Sequence, residues 1–192
     1  MIRASGDEAS ARTARLLDGS SREVLARLVE DDPLGLRSRI AARTEERALL
    51  VDAELVHLRS LALCARRASS RGADDLATWL DELVERALDD VLSEEWSSRD
   101  EREPAGCEIP WRHFAAQLEL DPRGLRAGCA RFNRLPFEQR EAFFRLVLDA
   151  GSPDHAARAR GLSFSEIARR ARAALDLVRS TAVPGSAGSR SA

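Results

Sequence analysis

Near the C-terminal end, Ser165, Glu166, Arg169, Arg170 and Arg172 stand at helical spacings just after Gly161-Leu162-Ser163. On one helix the first three and Arg172 share a face, with Arg170 at its flank, because residues three and four apart are neighbours. Arginine suits phosphate and guanine contacts geometrically, and a helix held out by a short turn is a shape that can enter the major groove of DNA.

Other chemistries find little footing. His57, His113 and His155 are scattered, and no Gly-rich phosphate loop or nucleophile motif occurs. Cys64, Cys107 and Cys129 are odd in number and far apart, so neither a disulfide framework nor a redox pair is expected. Cys107, His113 and Cys129 lack the close Cys or His pair that nucleates a zinc site. No catalytic residue, metal ligand or cofactor is expected, and the many carboxylates read as solvated helix faces.

The balance of charge along the chain supports the location. All 30 basic side chains are arginine, so arginine number alone reflects composition. Residues 73–108 carry 13 acidic and 3 basic side chains, a net of −10, whereas residues 152–192 carry 3 and 7, a net of +4. The recognition pattern lies in the basic part. No apolar run approaches the roughly 20 residues that span a bilayer, and Met1 to Ala11 is polar, with no signal-peptide core. A cytoplasmic protein without membrane contact is expected.

The elements that must position these side chains are helical, and an all-α fold is expected. Ser20 and Glu23 form a capping box, with Val24, Leu25 and Leu28 on one face of a helix that stops near Asp32-Pro33. A second helical region follows Pro33. A third is expected from about Glu46 to Arg67, burying Leu55, Leu58, Leu61, Ala62 and Ala65. Residues 73–96 have the clearest period, with Leu76, Leu80, Leu83, Val84, Ala87, Leu88, Val91 and Leu92 on one face. Asp81, Glu82, Glu85, Asp89, Asp90, Glu94 and Glu95 lie opposite, either as a solvated face or as a dock for a basic protein partner.

Residues 98–110 lack periodicity and read as a linker, and residues 1–19 and 180–192 as a flexible N-terminus and a disordered tail. A helical domain at 20–97 and a second at 111–179 result. In the latter, helices are expected over Trp111 to Leu120 and, after an Asp121-Pro122 cap, to about Phe132. Pro136 opens another, ending near Ala150-Gly151. Ser152-Pro153-Asp154 caps a short helix through Ala159, and Gly161 supplies a left-handed turn residue. Ser163 with Glu166 is a second capping box, starting a helix at Phe164 that runs to about Val178 and buries Ile167, Ala171, Ala174 and Leu175.

Leu135-Pro136-x-x-Gln139-Arg140-x-x-Phe143, Gly151-Ser152, Ala157, Gly161-Leu162-Ser163, Ile167 and Ala174-Leu175 together resemble region four of bacterial RNA polymerase sigma factors, especially the extracytoplasmic-function type. The likeness covers about 45 residues without a gap. It implies a helix-turn-helix whose last helix binds the −35 promoter element, while the earlier helices dock on the flap of the polymerase β subunit. By that resemblance Ser165, Glu166, Arg169 and Arg172 fall at or beside DNA-facing positions, with Arg170 and Arg158 on phosphates.

The chain departs from the pattern at His155-Ala156, where an acidic residue and isoleucine are usual, and at Arg160, where leucine is usual. Losing a buried aliphatic side chain costs about 2–5 kcal/mol, so the module is expected to lean on neighbouring helices. Phe164 replaces a small or polar residue; it is expected to pack against the preceding helix, the alternative being a thymine methyl. Upstream, residues 73–96 are only faintly similar to region two, and their acidic face argues against promoter melting. Trp79 and Trp96 read as core or boundary residues. Phe114 to Leu125 has the apolar spacing of a second helix-turn-helix exposing Arg123 and Arg126, or of two ordinary helices packed through Gly124 and Gly128. A sequence-specific DNA-binding regulator is the leading expectation, and a sigma-like adaptor that has lost DNA binding the alternative.

Overall fold

The computed structural model describes residues 13, 15–29, 31–70, 75–97, 125–149 and 151–182. Among them every regular element is a helix, so the fold is all-α. The elements are α1 (Ser21–Val29), α2 (Leu36–Glu46), α3 (Ala53–Arg67) with a 3₁₀ turn (Ala68–Ser70), α4 (Leu76–Ser97), α5 (Leu125–Phe132), α6 (Phe137–Phe143) continuing as a π-helix (Phe144–Leu148), α7 (Pro153–Arg160) and α8 (Phe164–Ala182). No helix is long and apolar enough to cross a membrane among the described residues. The chain forms two compact units, Met1–Arg43 with Ala53–Ser93, and Thr44–Asp52 with Glu94–Ala192. The proposed linker at 98–110, the helix and cap expected over 111–122, and the second helix-turn-helix pattern up to Gly124 lie outside the described residues.

In the first unit the Ser20–Glu23 capping box forms in both directions. The Ser20 N–H donates to Glu23 Oε2 at 2.8 Å and the Glu23 N–H to Ser20 Oγ at 3.4 Å. Val24 and Leu28 of α1 are buried, and α1 packs on α3. Asp32, at φ 46°, caps α2 by accepting from the Leu36 and Arg37 N–H groups at 2.8 and 2.9 Å. Aspartate tolerates this left-handed backbone better than most residues. The buried face of α4 follows the expected period, from Leu80 to Leu92.

The helix expected from Glu46 is corrected in its start and in part of its buried face. A helix from Glu46 to Arg67 does not form: α2 ends at Glu46 and α3 begins only at Ala53. The chain breaks because Ala48 turns left-handed at φ 48°, with the Ala48 N–H on the Glu45 carbonyl at 3.0 Å and the Leu49 N–H on the Thr44 carbonyl at 2.9 Å. That is the usual glycine-terminated helix end with alanine in glycine's place. Of the buried face expected for this helix, Leu61 and Ala65 are buried, Leu55 and Ala62 are half-buried and Leu58 is 54% exposed, while Val56, His57, Ser60 and Cys64 are buried as well. Burial pushes the Cys64 thiol up to about 12, so it stays protonated and inert. His57 sits with its ring nitrogens 3.7 Å from Asp32 and Glu54 carboxylate oxygens.

The acidic face of α4 is also less open than its sequence implies. Arg39 reaches Asp81 at 2.5 Å, and Arg43 reaches Asp81 at 3.5 Å and Glu85 at 3.3 Å. Glu95, expected on the exposed face, is buried.

In the second unit, Leu50, Leu125, Cys129, Phe132, Phe143, Ala174 and Val178 form one core, and Ala142, Ala157, Ile167 and Ala171 a smaller one. Phe132 and Phe143 meet edge to face with centroids 5.0 Å apart. Residues 44–52 belong here: the Asn133 side chain bonds both backbone groups of Leu50, and Arg140 donates to the Ala48 carbonyl at 3.4 Å. Burial, with Arg47 nearby, lowers the Arg140 guanidinium from its usual value.

Candidate nucleic-acid interface

The candidate site is the pair α7 and α8 with the turn between them. α7 starts at Pro153, whose missing N–H costs nothing in a first turn. The Ser152 side chain makes no capping bond, contrary to the expected cap. At the other end Gly161 adopts φ 63°, with its N–H on the Arg158 carbonyl at 3.2 Å and the Leu162 N–H on the Ala157 carbonyl at 3.0 Å. This closes α7 in two residues and aims the chain into α8.

Ser163 Oγ accepts from the Glu166 N–H at 3.2 Å and starts α8. The expected reciprocal half of that box is replaced. The Glu166 carboxylate instead accepts from Arg169 Nε and Nη2 at 3.0 and 2.8 Å and from Arg170 Nε at 2.7 Å, because two guanidinium groups outcompete one amide. These bonds hold the Glu166 carboxyl down at about 2 and raise Arg169 above its usual value. The cluster carries a net charge of +1 and is fixed at neutral pH.

The sequence-predicted residues therefore divide. Glu166, Arg169 and Arg170 form one bonded group, Arg169 exposed and Arg170 partly covered. Ser165 lies at its edge, exposed, with its Oγ 3.0 Å from Ser163 Oγ. Arg172, 83% exposed, stands one turn on and faces Asp176 at 3.9 Å, a partner that the four-residue spacing could have revealed. Arg158 is on α7 and folds along its own helix, Nε donating to the Asp154 carbonyl at 3.2 Å. Phe164 does not pack away as expected: it is 54% exposed, since the first turn of α8 extends past the small core around Ile167.

Arg160 and Ala156 have a visible consequence. Arg160 does not enter a core; it bonds Glu141 of α6 and ties α7 to the preceding helix. With Ala156 beside it, a cleft of about 600 Å³ opens between α6, α7 and the start of α8, with Ala142, Ala156, Leu162 and Ile167 among its lining and Glu138, Arg145 and His155 beside them. The sequence offered no sign of this cleft beyond the two undersized or polar positions. α6 changes to a π-helix at Phe144, and the Gly151 N–H closes its end on the Arg145 carbonyl at 2.9 Å.

Comparison with protein-family models, with curated proteins and with solved structures finds no match. Among the described residues no group of His, Cys, Asp and Glu could hold a metal ion. The exposed face of α8 offers a hydroxyl, two arginine forks and a positive balance, on a helix presented by a tight turn.

Proposed function

We propose that this protein is a sequence-specific DNA-binding transcription regulator of the sigma-factor kind, with α8 entering the major groove and Ser165, Glu166, Arg169 and Arg172 at or beside base edges. The observation that carries the reading is the helix-turn-helix closed by left-handed Gly161 with an exposed, arginine-bearing second helix. Arg170 and Arg158 supply phosphate contacts, which position the protein without reading sequence. By the same resemblance the helices before α8, α6 among them, are the docking side for the flap of the RNA polymerase β subunit. The first unit serves as an interaction domain rather than a promoter-melting one, since the exposed part of α4 is acidic.

The test is selection of bound duplexes from a random pool, followed by titration of the full chain with the selected site. Arg169→Ala with Arg172→Ala is expected to lose most of the affinity while the thermal unfolding profile is retained. Equal binding by the double variant would reject α8 as the recognition helix. Affinity should also fall steeply with salt, with a slope of about −0.9 per phosphate neutralised.

One observation favours a second reading, a sigma-like adaptor without DNA binding. Glu166 and Asp176 face three of the α8 arginines and reduce the field that phosphates would meet. Absence of DNA retention even at low salt, with RNA polymerase subunits co-purifying from the host, would select the adaptor.

A further inference from the structure

The geometry of Arg169 points to one defined base contact, a guanine in the major groove, with Glu166 as the residue that sets the arginine's orientation. This inference rests on the DNA-binding reading above and makes it specific. Arg169 spends its Nε and one Nη2 hydrogen on the two oxygens of Glu166, at 3.0 and 2.8 Å. A guanidinium has two usable edges, and this pairing consumes the side edge. The end edge, formed by Nη1 and the second Nη2 hydrogen, points away from the carboxylate on a side chain that is 70% exposed.

Two parallel donors at that edge match the N7 and O6 acceptors of guanine, which no other base presents together in the major groove. Adenine offers N7 beside a donor, and would set N–H against N–H. An unbuttressed arginine samples many rotamers and must be ordered on binding; here the ordering is already made, as in any preorganised contact. Arg170 Nε, at 2.7 Å from the same Oε1, holds the carboxylate from the other side, so Glu166 cannot turn away with Arg169. Glu166 is thus a positioning residue. Arg169 is the reader.

The experiment uses the full chain and its selected duplex. Each guanine is replaced in turn by 7-deazaguanine, which keeps pairing and O6 but removes the N7 acceptor. At one position the wild-type protein is expected to lose about tenfold or more in affinity. Arg169→Ala should bind more weakly and show no response at that position. Glu166→Gln, which frees the arginines, should shrink the penalty at that guanine several-fold. If DNA is selected but no guanine responds, or the response survives in Arg169→Ala, the base assignment is overturned while DNA binding stands. An undiminished penalty in Glu166→Gln overturns the positioning role. If no duplex is selected at all, the DNA-binding reading itself fails, and this assignment with it.

Discussion

The side-chain amide of Asn133 and the backbone of Leu50 exchange two hydrogen bonds, the Leu50 N–H donating to Oδ1 at 2.8 Å and Nδ2 donating to the Leu50 carbonyl at 2.9 Å. Both residues are buried, and no water replaces a lost partner cheaply at such a site. The amide acts as a short strand edge that fastens residues 44–52 to the core containing Phe132 and Phe143. Asn133→Ala leaves the Leu50 N–H and carbonyl unpaired and is expected to cost about 2–4 kcal/mol in urea unfolding. Asn133→Asp keeps the acceptor, loses the donor and adds a buried charge, so it should be no better. A cost near zero for Asn133→Ala would mean that the clasp is not formed in solution.

Ala48 and Gly161 end their helices with the same pair of backbone bonds, yet only one of them is a glycine. A side chain in the left-handed region costs about 1–2 kcal/mol, against which glycine's extra unfolded entropy costs about 0.5–1. Ala48→Gly should therefore stabilise the chain by up to about 1 kcal/mol, and Gly161→Ala should destabilise it by a similar amount. Asn at position 161 should recover part of that loss. Thermal unfolding of the three variants checks the signs, and an opposite sign at either site would contradict the turn geometry.

At Gly151 the constraint is space rather than φ. A Cβ there would stand 2.7 Å from the Arg145 carbonyl oxygen, a backbone atom that closes the π-helix. Gly151→Ala is expected to cost about 1–3 kcal/mol, as overpacking does, and to increase hydrogen exchange at the Gly151 and Asp149 amides. Unchanged exchange at those amides would show that the π-turn tolerates the methyl group.

The cleft beside Ala156 makes a prediction of opposite sign. Ala156→Ile adds apolar surface against Ala142 and Ile167 and is expected to stabilise the second unit by about 1 kcal/mol. The Glu141–Arg160 pair, partly exposed, should show a coupling of about 0.5–1 kcal/mol in a double-mutant cycle. No gain from Ala156→Ile would indicate that the cleft is closed in solution.

Glu166 allows a pH test. Its bonds to Arg169 and Arg170 hold its carboxyl at about 2, below the ordinary 4.5. A depressed carboxyl contributes fully above its unfolded value and loses that contribution as pH falls through the folded one. The clamp's contribution to stability is therefore full above about pH 4.5 and declines toward about pH 2, where the carboxylate itself takes its proton and the clamp opens. Carboxyl NMR should place the Glu166 midpoint near 2, and Arg169→Ala should move it up toward 4.5. A wild-type midpoint in the ordinary range would show that the arginines are not held.

The path from sequence to structure was clearest where the signals are local. Pro136, Pro153 and Gly161 punctuate the C-terminal helices, and the 3.6-residue period of Leu80 to Leu92 carries α4. A boundary near Glu46 was expected, but the length of the break before Ala53 was hidden because Arg47-Ala48-Leu49-Leu50 contains neither glycine nor proline. Asp52 before Ala53 was the available sign, a residue type favoured at helix starts. The face of α3 was legible in part: Leu61 and Ala65 are buried as expected, whereas Val56, His57 and Ser60 are buried and Leu58 is not.

The chain alone determined that the fold is helical, and where the last two helices begin and turn, because capping, proline and left-handed glycine act within four or five residues. The pairings were decided elsewhere. Asn133 reaches Leu50 across 83 positions, and Arg160 reaches Glu141 across 19 instead of entering a core. Glu166, expected to complete a capping box, clamps two arginines instead, because the side chains compete for it in three dimensions. A polar group takes the partner that best satisfies it once packing has brought the candidates within reach, and no local pattern records that contest.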